Sequence, residues 1–156
     1  MMNEKRWTGR HSLLLSQVMV WFFFILLVLC DVTGYWLVNW LCANVIGNRG
    51  LFGGMVLLGT MYLCSIPAYV TLWDLRRLLR NMGREQVFVP QNVASLRRIS
   101  WCCVLVALVC LVAAVVEWPS LGIVTLAAGF MALIVRVVKN VFDEAITMKD
   151  ELDLTV

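Results

Sequence analysis

The sequence predicts an all-α integral membrane four-helix bundle, with both termini cytoplasmic and a cytoplasmic C-terminal helical extension. Three observations predict it. Of the 156 residues, 62% are hydrophobic and only 15% are charged, against about 25% charged in a soluble domain. A water-soluble chain of this size has no core large enough to hide so much apolar surface. The apolar residues fall into four long runs, and the basic residues fall almost entirely on one side of them.

The first span is predicted over 12–30. Residues 18–30 carry no charge and follow a basic segment with Lys5, Arg6 and Arg10. A signal peptide is the competing reading, but its apolar region is shorter and ends in small residues. Here Leu27 and Leu29 stand where small residues are needed, so an uncleaved helix is preferred. The second span is predicted over 51–73, with Pro67 inside it; membrane helices accept proline where neighbours re-satisfy the freed carbonyl. The third is predicted over 100–116 and the fourth over 121–138. Each approaches the roughly 20 residues that cross a hydrocarbon core about 30 Å thick. Glu117, Trp118, Pro119 and Ser120 leave room only for a tight turn, so spans three and four form an antiparallel hairpin.

With the amino terminus inside, the inner segments hold Lys5, Arg6, Arg10, Arg76, Arg77, Arg80, Arg84, Arg97, Arg98, Arg136, Lys139 and Lys149. The outer segments hold only Arg49. That asymmetry is a positive-inside signal for a multi-pass protein with both ends inside. Trp7, Trp73 and Trp101 are expected at the inner interface, and Trp36, Trp40 and Trp118 at the outer one. Small residues predict the packing faces: Gly54, Gly59 and Ala68 on span two, Ala107, Cys110, Ala113 and Ala114 on span three, Ala128 and Ala132 on span four.

Residues 31–50 are read as an apolar, aromatic outer loop that lies on the membrane surface or caps the bundle. Residues 74–98 form the inner loop. Its first part continues span two as a basic amphipathic helix ended by Gly83, and Asn92 is expected to cap a short helix leading into span three. Its arginines set topology and meet anionic lipid. Residues 139–156 form an amphipathic tail. Val138, Val141, Phe142, Ala145, Met148 and Leu152 recur at helical spacing. Lys139 and Asp143 form an i, i+4 pair on the other side, and Leu152, Leu154 and Val156 alternate as in a short strand. An acidic helix with an apolar face is repelled by anionic lipid and calls for a protein surface. That surface is either the inner loop or another chain. Phe142, Ala145, Met148, Leu152, Leu154 and Val156 are therefore the candidate partner-binding residues.

No catalytic, cofactor-binding or metal-binding residues emerge. Asp31, Asp74 and Glu117 are placed at span ends, so no charge is expected deep in the bilayer. Such a charge would mark an ion-coupled transporter. The single histidine, His11, has no partner in sequence. Cys64, Cys102, Cys103 and Cys110 lie in apolar runs, where thiols act as small hydrophobes. Cys30 and Cys42 fall near the outer face, where a bridge between them is an open alternative. An enzyme is not expected.

Two cytoplasmic pieces carry a family resemblance. Phe88, Asn92, Leu96, Arg97, Arg98 and Ile99 precede two spans. Phe142, Ala145 and then Lys149-Asp150-Glu151-Leu152-Asp153-Leu154-Thr155-Val156 follow them. This pattern resembles the domain of unknown function 2975 family, small bacterial membrane proteins with four helices. Leu152 and Val156 depart mildly from its asparagine and isoleucine. The resemblance implies the bacterial cytoplasmic membrane, and members of that family are often encoded beside a small helix-turn-helix regulator, an association rather than a contact. The expected partners are the lipid bilayer, then such a regulator, another membrane subunit or a second copy of the chain. Direct nucleic-acid binding is not expected. The leading functional expectation is a membrane anchor for a cytoplasmic regulator; the alternatives are a small transporter or pore subunit, or an accessory subunit of a larger complex.

Overall fold

The computed structural model describes residues 2–44, 51–83 and 89–154, with side chains over 14–44, 52–83, 89–149 and at 151. Four helices account for nearly all of it: α1 (Met2–Asn44), α2 (Leu51–Met82), α3 (Pro90–Val116) and α4 (Leu121–Leu154). All four are long and apolar enough to cross a membrane. Among the described residues, α1 packs on α2, α2 on α3 and α3 on α4. The ends of this row do not close on each other. Instead, side chains of all four helices, including Leu27, Cys30, Pro67, Cys103 and Met131, line an open apolar groove of about 430 Å³.

Local sequence sets most boundaries. Gly83 N–H donates to Leu79 O at 3.0 Å and ends α2 where expected. Pro90 opens α3 after an extended Val89, a position where its missing N–H costs nothing. Glu117 and Trp118 N–H both donate to Ala113 O, closing α3 before the turn into α4. The hairpin is held across its middle by Ser100 Oγ, which donates to Ala132 O at 3.1 Å. Cys110, Ala113 and Ala132 are buried as the small-residue stripes predict. Gly59 is not part of a close approach, since a Cβ there would meet nothing within 4 Å.

Five readings, the open alternative of a Cys30–Cys42 bridge among them, do not hold, each for a tertiary reason or a rule of helix geometry. Residues 31–44 are not a surface loop; α1 runs unbroken through them. Gly34 lets α1 sit close on α2, where a Cβ would overlap the Met61 methyl. Cys30 and Cys42 are free thiols, and on one helix they stand about 18 Å apart, beyond disulfide reach. Asn92 makes no cap to α3; its side chain turns inward. Leu152 and Leu154 belong to α4 rather than to a strand. The i, i+4 supports of the tail favour that outcome: Lys139 Nζ lies 3.0 Å from Asp143, and Thr147 Oγ1 donates to Asp143 O at 3.0 Å. Trp118 is no surface belt residue. It is 5% exposed, and its Nε1–H donates to Gly53 O at 3.0 Å, latching the hairpin to the start of α2.

Candidate functional site: two carboxylates flanking α2 and a projecting helix

The α1/α2 register fixes the depth of each polar group. Three contacts mark it: the Arg76 guanidinium over the Trp21 ring at 4.7 Å, Asp31 against Ser65, and Cys42 Sγ facing Gly54. Asp31 therefore lies about 16 Å along the axis from the Cys42 level and about 15 Å from the Trp21 level, at 1.5 Å per residue. It sits near the middle of a membrane-capable helix of 31 residues, not at a span end. This corrects the sequence reading, which stopped the first span one residue short of it.

Tyr62, Ser65 and Tyr69 recur at steps of three and four on α2, so they share one face. That face meets Asp31. Ser65 Oγ donates to Asp31 Oδ1 at 2.5 Å, and Tyr69 OH donates to Oδ2 at 2.9 Å. Tyr62 OH donates to the Asp31 carbonyl at 3.1 Å. Both carboxylate oxygens are thus satisfied by neutral donors, and no cation pairs with Asp31 among the described residues. The Tyr69 ring also packs edge-on against Phe24, centroids 5.6 Å apart. Side chains spaced 34 and 38 residues from Asp31 make this node, which is why span-by-span reading missed it. The available signal was the polar stripe at 62, 65 and 69 inside an apolar helix.

Asp74 makes a second node, on the opposite flank of α2. Only 2% exposed, it receives Arg98 Nη2 at 3.1 Å on Oδ1, with Ser95 Oγ at 3.5 Å. Its Oδ2 is buried without a hydrogen-bond partner. Two turns further along, Asn81 Nδ2 donates to Asn92 Oδ1 at 2.8 Å, and Asn92 is almost wholly buried. Together these residues tie the basic ends of α2 and α3. A buried carboxylate with a guanidinium partner is stable only while the pair stays intact.

The predicted partner-binding residues divide. Ala132, Val135, Lys139, Phe142 and Ile146 form the partly covered stripe of α4. Phe142 and Ala145 are half-buried, while Met148 is 55% exposed, as is neighbouring Val141 at 60%. The side chains of Leu152, Leu154 and Val156 lie outside the described residues. With Ser100 level with Ala132, α4 extends about 18 Å past the level of Pro90.

Comparisons with known proteins agree with a membrane protein. The chain is similar to an uncharacterized membrane protein, YoaS, of Bacillus subtilis (strain 168). The two are 26% identical over 108 residues, a match covering 62% of this chain and 68% of that one. No solved structure matches the chain. Residues 17–156 match the family model described as protein of unknown function DUF2975. With the match covering all but the first sixteen residues, the chain belongs to the DUF2975 family.

Proposed function

We propose that this multi-pass membrane protein serves as an anchor for a cytoplasmic regulator, engaged through the α4 extension. One observation carries the reading: α4 leaves the bundle without a break and continues to Leu154, keeping Val141 and Met148 exposed. A helix that projects past α3, on which it packs among the described residues, presents a surface to another chain. Its Asp143 and Glu144 are exposed as well, which disfavours an anionic membrane as the covering surface. The basic end of the bundle then faces the cytoplasm, and α4 links membrane and cytoplasm as one rod.

The test is affinity purification in mild detergent with the full chain, a chain ending at Val141, and full-length Met148→Asp. The reading expects a soluble protein that is retained by the full chain and lost from both variants. An identical set of proteins in all three samples would contradict it.

A second reading, a small transporter or pore subunit, is favoured by Asp31. An ionisable residue at mid-membrane depth is a frequent element of ion pathways. Reconstituted vesicles would show solute or ion flux that Asp31→Asn abolishes; flux equal to that of empty vesicles removes this reading.

A further inference from the structure

Trp73, Arg76, Arg77 and Arg80 fall at steps of three, one and three along α2, so they share one face. They line a concave site of about 260 Å³. None of the three arginines has a carboxylate partner among the described residues: Asp74 is taken by Arg98, and Asp143 by Lys139. Three guanidinium groups without a carboxylate partner within about one helical turn repel one another, and an anion relieves that repulsion. Arg76 is already positioned, its guanidinium lying over the Trp21 ring at 4.7 Å. Stacking of that kind leaves the N–H edge free to bind oxygen.

We propose that this face binds the phosphate of an anionic phospholipid. Position decides the source of the phosphate. Trp73 is 68% exposed, and an exposed tryptophan at a span end rests at the boundary between acyl chains and headgroups. Measured along the axis from Trp73, Arg76 and Arg77 stand about 5 Å further out and Arg80 about 10 Å. The headgroup layer on one side is roughly 5–7 Å deep. Arg76 and Arg77 therefore meet a lipid phosphate at its own depth, and Arg80 closes the outer side of it. Trp73 gives the acyl chain an apolar wall. The guanidinium fork matches two phosphate oxygens at once, which an ammonium does not.

The full chain, purified in a neutral detergent with mixed phosphatidylglycerol and phosphatidylcholine, is examined for retained lipid by native mass spectrometry. The proposal expects selective retention of phosphatidylglycerol. The triple variant Arg76→Gln/Arg77→Gln/Arg80→Gln lowers that retention by about tenfold or more. Arg76→Lys/Arg77→Lys/Arg80→Lys retains less than the native chain despite equal charge. A control triple, Arg97→Gln/Arg136→Gln/Lys149→Gln, removes the same charge elsewhere and leaves retention within about twofold. Equal loss in both glutamine triples would overturn the site in favour of diffuse attraction. Inorganic phosphate alone, added to lipid-free protein, produces no thermal shift; a shift that the first triple abolishes would reassign the site to free phosphate.

Discussion

Two carboxylates, the half-buried Asp31 and the buried Asp74, sit on opposite flanks of α2 and are handled differently. Asp31 reaches α2 from near the middle of the membrane-capable stretch of α1 and is met by Ser65 and Tyr69, both neutral donors. Asp74 belongs to α2 itself, near the basic end, and is met by the cation of Arg98. The contrast follows depth. A guanidinium beside Asp31 would have to leave water altogether, whereas Arg98 keeps an exposed side chain while touching a carboxylate that is 3% exposed. Hydroxyls serve where charge is expensive, and a snorkelling cation serves where water is near.

The largest expected effect breaks the charged node. Arg98→Ala leaves Asp74 buried beside Ser95 alone, and costs about 3 kcal/mol of stability. Adding Asp74→Asn to that variant recovers more than half of the loss, because the stranded charge is gone. Thermal unfolding in detergent reads both. A double variant no better than the single one would show that the ion pair does not govern this end.

The neutral node is expected to be weaker. Asp31→Leu leaves the Tyr69 hydroxyl without its acceptor and Ser65 with only its bond to Met61 O, at a cost of about 2 kcal/mol. Tyr69→Phe removes one donor and costs about 1 kcal/mol. A cost for Asp31→Leu larger than that of Arg98→Ala would reverse the ranking. Outside both nodes, Trp118→Phe loses the bond to Gly53 and a similar amount, about 1 kcal/mol. The smallest effect is Gly59→Ala, neutral within about 0.5 kcal/mol, since open space surrounds that position. Gly34→Ala sharpens the comparison, because it must displace the Met61 side chain.

What was readable in the sequence was local. Gly83, Pro90 and the Glu117–Ser120 turn punctuate the helices through their own backbone chemistry, and Lys139 finds Asp143 within one turn. Span one was cut short because Asp31, Thr33 and Gly34 interrupt an apolar run in a way that resembles a loop. Only α2 explains them: Ser65 and Tyr69 satisfy Asp31, and Met61 fills the space over Gly34. Thr33 satisfies its own hydroxyl by donating to Leu29 O at 2.7 Å. Asn92 failed as a cap for a similar reason, since its partner Asn81 lies across the α2/α3 loop. The apolar face of the tail was legible as periodicity. How α4 meets α3, with Lys139 rather than Val141 on the covered side, depends on a crossing that periodicity does not encode.

The depth of Asp31 carries the comparison and can be measured directly. On a cysteine-free background, Val32→Cys and Asn44→Cys are each exposed to a membrane-impermeant maleimide in intact vesicles of either orientation. A continuous α1 predicts that Asn44→Cys reacts while Val32→Cys, one residue from Asp31, stays unlabelled until the bilayer is dissolved. Equal labelling at both positions would return residues 31–44 to the membrane surface and contradict the account.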